Sequence, residues 1–166
     1  MRGNSKRHFL REKEAQKLMD EMSKVMKIQI KNIIGKNRKI ELADFGETKI
    51  FLFELKPLFA FYKNNWIPTL IFKEALDLIP KIVVDMGAVP HICNGADVMV
   101  PGILKVEGEF HKGELVVILD EKHNKPIAVG AALKDSKEII KMKHGKVVKN
   151  VHFVGDKLWK LIKSLH

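Results

Sequence analysis

Apolar residues return at three- and four-residue steps from Phe9 to about Met26, at Leu10, Leu18, Met22, Val25 and Met26, with Glu and Lys between them. That spacing predicts one amphipathic helix. The rhythm then shortens: Ile40, Leu42, Phe45, Ile50, Leu52, Leu55 and Phe59 fall in brief stretches broken at Asp44-Phe45-Gly46 and Lys56-Pro57, the punctuation of hairpins. Asn64-Asn65 marks another turn before Trp66 and Pro68, and Thr69 is placed to cap a short helix carrying Leu70, Ile71, Leu76 and Leu78, which Pro80 ends. After Pro80 the pattern becomes strands at 82–84, 115–119, 127–133 and 147–154. Asp135-Ser136-Lys137-Glu138 reads as a capping box opening a helix through Ile139 and Ile140, with Gly145 as its stop. Eight of the 11 glycines lie in this second half, where a small closed sheet needs tight turns and bulges. The expected fold is therefore an α+β N-terminal domain over residues 1–80, followed over 81–166 by a mainly β barrel with short helices.

The chain has 166 residues, long enough to bury a substantial core and too short for more than two modest domains. It carries 30 Lys and Arg against 20 Asp and Glu, a formal net charge of +10 that attracts polyanions. Only Arg2, Arg7, Arg11 and Arg38 are arginines. Lysine is a mobile point charge rather than a planar fork, so such a surface suits phosphate attraction better than bidentate reading of base edges. A Lys-rich composition also occurs in hyperthermophile proteins, and charge alone does not choose between the two. The charge is uneven: residues 1–80 hold 16 basic and 10 acidic groups, 81–133 hold 5 and 7, and 134–166 hold 9 and 3. A fold that brings the two ends together would make a basic face along which a phosphate backbone can run.

The single cysteine, Cys93, excludes an internal disulfide and a zinc site of several thiolates, and makes a reducing cytoplasm the natural compartment. No apolar stretch follows the basic start, so no signal peptide is expected. The longest purely aliphatic run, residues 115–119, is far short of the ~18 needed to cross a bilayer. Catalytic chemistry finds little to work with. His8, His91, His111, His123, His144, His152 and His166 show no metal-ligand spacing. Gly108 and Gly113 have the outer spacing of a phosphate loop, but Glu114-Leu115 stands where Lys and Ser/Thr must hold phosphate and magnesium. Ser5, Ser23, Ser136 and Ser164 lie in no nucleophile elbow, and the pairs Glu107/Glu109 and Asp120/Glu121 read as solvated turns. The expectation is a non-enzyme with neither metal nor cofactor.

What remains is the segment 84–103: a strand, one or two helical turns from Gly87, an Asn94-Gly95 stop, and a loop that Pro101-Gly102 turns into the next strand. Small residues at 87, 88, 95 and 96 leave backbone uncovered, so a phosphate or base edge can approach it, or they simply permit tight packing of a helix across a barrel mouth. Here the residues resemble a known family. Asp85-x-Gly87-Ala88, then Asn94-Gly95-Ala96-Asp97-Val98-Met99-x-Pro101-Gly102-Ile103, Val129-Gly130, Lys143-x-Gly145-Lys146 and Val151-His152-Phe153-x-Gly155-Asp156-x-Leu158-Trp159 look like the PUA domain, named for pseudouridine synthases and archaeosine transglycosylases. The likeness spans about residues 81–160. An α+β unit before it, with Trp66-Ile67-Pro68-Thr69-Leu70 near its end, is similar in order to the malignant-T-cell-amplified-sequence proteins and their ligatin relatives, which bind the small ribosomal subunit in translation reinitiation and recycling. The Arg-poor, lysine-heavy composition looks archaeal.

The resemblance implies a PUA pseudobarrel whose short helix and following loop face RNA, with backbone amides of small residues meeting phosphates. Carried onto this chain, that face comprises Gly87, Ala88, Gly95, Ala96, Asp97, Val98, Met99, Pro101 and Gly102. Charge and position add Lys105, Lys134, Lys141, Lys143 and Lys146. Asp97 reads better as a loop cap than as an RNA contact, because phosphate repels a carboxylate. Trp159, among Leu158, Leu161 and Ile162, reads better as a core plug than as a stacking platform. The expected function is docking of structured RNA, ribosomal or transfer, in translation initiation or recycling, with residues 1–80 adding basic surface or holding a protein partner. The alternative is an RNA-recruiting subunit of a separate tRNA or rRNA modification enzyme, a transglycosylase or pseudouridine synthase.

Overall fold

The computed structural model describes residues 5–35 and 39–165; Arg2, Arg38 and His166 lie outside them. The first half runs β1 (Lys6–Phe9), α1 (Glu12–Met26), α2 (Ile30–Ile34), β2 (Ile40–Asp44), β3 (Lys49–Phe53), β4 (Lys56–Tyr62), β5 (Asn65–Pro68) and α3 (Lys73–Leu76). The second runs β6 (Lys81–Val84), α4 (Val89–Ile92), β7 (Val98–Met99), a 3-10 turn (Val100–Gly102), β8 (Ile103–Glu107), β9 (Leu115–Asp120), β10 (Pro126–Ala132), α5 (Ser136–Ile139), β11 (Lys146–Phe153) and α6 (Lys157–Ser164). Among the described residues these strands form two sheets, of order β1-β2-β3-β4-β5 and β7-β11-β10-β9-β6-β8.

The expected first helix starts three residues late. Lys6–Phe9 pairs antiparallel with β2 instead, and α1 begins at Glu12, where Glu14 accepts the Arg11 amide at 2.9 Å. Leu18, Met19, Met22 and Met26 form its buried stripe. The first sheet is a meander of neighbouring strands. Its β2–β3 turn contains Gly46, at φ +90°, as the Asp44-Phe45-Gly46 pattern predicts, but the other two turns fall elsewhere. Glu54-Leu55, not Lys56-Pro57, joins β3 to β4, and Pro57 sits inside β4 opposite Leu52, next to a register shift that accommodates its missing donor. Lys63-Asn64 joins β4 to β5, one residue before the expected pair. All four turn residues have positive φ, the mirror-image turn that matches strand twist. Thr69 does not cap a helix. It is buried with its hydroxyl donating to the Pro57 carbonyl at 2.7 Å, and α3 is confined to Lys73–Leu76.

The second sheet curls on itself, with β6 parallel to β9 and antiparallel to β8. Its interior is filled by Ile82, Val84, Ile92, Val98, Phe110, Val116, Ile118, Ile127 and Val148 among others. The alternate residues Val83, Leu115, Val117, Leu119, Val129 and Val151 point outward into a second apolar core, which they share with α1, the first sheet and Leu158 and Ile162 of α6. This explains the unbroken aliphatic runs at 82–84 and 115–119: strands buried on both faces lose the alternation of a half-exposed sheet. At about 1.5–3 kcal/mol per fully buried aliphatic side chain, the shared core binds the halves firmly. At Gly130 the β10–β11 register shifts; a Cβ there would lie 2.5 Å from the Lys149 carbonyl oxygen and from Val148 Cγ1.

The 135–138 capping box also differs from expectation. The Asp135 carboxylate accepts the Lys112 amide at 2.8 Å and the Ser136 hydroxyl accepts the Phe110 amide at 3.1 Å, so both anchor the loop before β9. The helix ends at Ile139, and Gly145, at φ +113°, serves instead to turn the chain into β11. Asp120 is no solvated turn residue. It is buried, accepting the amides of His123 and Lys125 at 2.6 and 3.3 Å. Burial pushes its carboxyl up, and these N–H groups with the His123 charge outweigh that, holding it below its ordinary value.

Polar contacts also join the halves. Lys27, just past α1, meets Glu114 at 2.8 Å. More deeply, the fully buried His152 on β11 sets Nδ1 3.0 Å from Asp156 and takes the Leu70 amide on Nε2 at 3.3 Å, satisfying one neutral tautomer at both nitrogens. The Tyr62 ring stands edge-on to His152 at 6.4 Å.

Candidate nucleic-acid interface

The segment from Asp85 to Gly102 is folded by its own short side chains. Asp85 accepts the Ala88 amide at 2.8 Å and donates its own amide to the Gly102 carbonyl, so the two ends of the segment are clasped together. Gly102 sits against Ala88: a Cβ at 102 would lie 3.0 Å from the Ala88 Cβ. Gly95, at φ +95°, ends the turn after α4, with the Phe153 ring 3.5 Å from where its Cβ would be. The result is an open groove of about 280 Å³ lined by Ala88, His91, Ile92, Ala96, Asp97, Val98, Met99 and Gly102.

Of the residues expected to meet RNA, Ala88, Ala96, Asp97, Val98, Met99 and Gly102 thus share one groove. Gly87 and Gly95 border α4 on either side, and Pro101 lies in the 3-10 turn at one rim. The floor is apolar, with Val98 and Ile92 buried and Met99 half exposed. Its amides are largely spoken for. Those of Ala88, Gly95 and Ala96 donate to Asp85, Ile92 and His91, and the Met86 amide goes to Glu121 at 3.1 Å. These four amides are thus already paired within the protein, and the groove beside them offers shape, an apolar floor and neighbouring lysines.

Asp97 is a brace, as its chemistry predicts. Its Oδ1 accepts the Asn150 amide at 2.8 Å, while Oδ2 lies 3.3 Å from Lys146 Nζ. Asn150, unmarked by any local pattern, completes the groove: its side-chain amide donates to the Ile92 and Ala96 carbonyls at 2.9 and 3.0 Å. Sequence reasoning missed it, and missed His91 and Ile92 as groove walls. Only the 58-residue separation of Asn150 from Ile92, closed by β11, makes this contact.

The lysines divide. The Val100 amide donates to the Gly145 carbonyl, so the turn carrying exposed Lys141 and Lys143 abuts the 3-10 turn, with Lys146 opposite Met99. Lys134 follows β10 where Leu133 bonds Val147, at the same end of the barrel. Lys105 is on β8 and paired with Glu107 at 3.0 Å. Cys93 is half buried, and burial pushes its thiol up, away from reactivity. Among the described residues no cluster of three or more His, Cys, Asp or Glu could hold a metal, and no helix is long and apolar enough to cross a membrane.

Comparison with known proteins bears on both halves. The PUA domain family matches residues 80–154, and the family described as a domain of unknown function (DUF1947) matches residues 6–74. The chain is 40% identical over 158 residues to uncharacterized protein MJ1432 of Methanocaldococcus jannaschii, covering 93% of this chain and 95% of that one. It is 31% identical over 124 residues to translation machinery-associated protein 20 of Schizosaccharomyces pombe, covering 70% and 68%. The crystal structure of a PUA domain from Aeropyrum pernix K1, a tartrate complex, matches at a TM-score of 0.85 and 27% identity, over 98% of this chain and 93% of that one.

Proposed function

Because this chain belongs to the PUA-domain family that includes translation machinery-associated protein 20, we propose that it is a non-catalytic, cytoplasmic RNA-binding protein that docks ribosomal RNA of the small subunit, or tRNA, in translation initiation or recycling. The observation that carries this reading is the juxtaposition of a small-residue groove with the lysines of the 141–146 turn, held together by the Val100–Gly145 hydrogen bond. An unstacked base or ribose fits against Ile92, Val98 and Met99, while Lys141, Lys143 and Lys146 meet the flanking phosphates; Lys134 and Lys105 extend the charge to either side. Lys146 is exposed beside Asp97, and such a pair contributes about 0–1 kcal/mol, so phosphate competes for it readily. Functionally, residues 1–80 and 81–166 divide the work: the second unit supplies the groove, and the first adds basic surface or holds a protein partner.

Binding of tRNA and small-subunit rRNA fragments across a salt series tests this. With about five phosphates neutralised, the log-log slope is expected near −3.5 to −4.5. Lys143→Ala/Lys146→Ala should lower affinity while leaving the fold intact. Immeasurably weak binding by the unaltered protein at low salt would overturn the reading. Co-purification with a transglycosylase or pseudouridine synthase in place of ribosomal subunits would move it to the RNA-recruiting alternative.

A further inference from the structure

The two long helices treat charge differently. On α1 the exposed lysines Lys13, Lys17 and Lys24 are interleaved with Glu12, Glu14, Asp20 and Glu21, the mixed surface that a lysine-rich composition gives a solvated helix. On α6 there is no acid at all between Lys157 and Ser164. Leu158 and Ile162 are buried, and at 100° per residue Lys160 points directly away from them, with Lys157 and Lys163 about 60° to either side. The charged positions of the solvent face are thus all lysines, a stripe about 9 Å along the axis from Lys157 to Lys163. Lys157 and Lys160 make no ion pair among the described residues, and Lys163 lies 4.8 Å over the ring of half-buried Trp159.

Helix stability does not account for this stripe. Like charges three residues apart weaken a helix, and cations in a first turn oppose its dipole. Asp156 caps α6 through the Trp159 amide at 2.7 Å, which keeps the helix despite its surface. The stripe also connects with the groove, for Gly95 at the groove's edge packs against Phe153, and α6 starts four residues further on.

We propose that the exposed face of α6 is a second RNA contact that grips the phosphate backbone of the same RNA held at the groove. It rests on the RNA-binding reading above, and extends the site from one end of β11 to the other. A polyanion fits because the face is single-signed; RNA fits better than an anionic bilayer because the helix buries its apolar side in the protein core and has none left to insert.

The experiment compares two charge-matched triple variants of the full chain, Lys157→Gln/Lys160→Gln/Lys163→Gln on α6 and Lys13→Gln/Lys17→Gln/Lys24→Gln on α1. Each is checked for fold by circular dichroism and titrated with tRNA and small-subunit rRNA fragments from 50 to 200 mM salt, roughly the range over which phosphate contacts dominate. The α6 variant should lose about tenfold or more in affinity at low salt and flatten the log-log slope by about 2 to 3, with the α1 variant close to the unaltered protein. An equal loss in both variants would reduce the effect to net charge and overturn the proposal. So would unchanged binding by a folded α6 variant; either result leaves the groove reading standing, whereas failure of the unaltered protein to bind removes both.

Discussion

The two sheets solve the same problem in opposite ways. The first pairs each strand with its neighbour in chain order, and β3, β4 and β5 follow one another through two-residue turns, so most of its contacts are local. The second sets β6 between β9 and β8, joins β11 to β7 across about 50 residues, and needs a backbone contact at Gly130 that no side chain would permit. The groove belongs to the second. A binding surface assembled from residues 88, 102 and 150 is only as good as the barrel closure that brings them together.

The sharpest break in this contrast is Gly130→Ala. Its Cβ would collide with backbone as well as with Val148, so a loss of about 3–5 kcal/mol is expected in urea unfolding, with the groove disordered alongside. Next is the junction. His152→Ala leaves a buried Asp156 without its partner and the Leu70 amide without its acceptor, at about 2–4 kcal/mol. The same junction sets an acid limit. Burial pushes the Asp156 carboxyl up, but the hydrogen bond from His152 and the amides of Trp159 and Phe153 prevail and lower it. Its contribution is thus whole above the ordinary carboxylate value of 3.8 and is lost as pH falls through the lower folded value. The urea midpoint should drop on acidification below about pH 4, and Asp156→Asn should flatten that drop. The smallest effect has the opposite sign: Leu55, 70% exposed at φ +69°, pays for a left-handed turn, and Leu55→Gly should raise the unfolding free energy measured in urea by about 1 kcal/mol without touching RNA affinity.

Which parts of this were readable in advance follows from where the information lies. The strands at 82–84 and 115–119 announce themselves because both faces are buried and the composition is continuous. The Glu54-Leu55 turn does not, since neither residue favours positive φ and the twist of the hairpin imposes it. Lys6–Phe9 carries no apolar alternation and is exposed throughout; pairing with β2 alone makes it a strand. In the groove, the small residues of 87–102 were visible as a string, and Asp97 as a brace rather than a contact. Asn150 was not, for its partners Asp97, Ile92 and Ala96 are each more than 50 residues away. Neither helix capping nor periodicity reports a distant hydrogen bond.

One feature of the shared core bears on how the molecule is made. Leu158 and Ile162 close an apolar surface whose other walls come from the first sheet, yet they are translated roughly 90 residues after β5. At about 5–20 residues per second, the newly made sheet waits roughly 5–20 s with that surface uncovered. Nascent chains stalled before α6 should therefore attract chaperones, and release them once the last helix emerges.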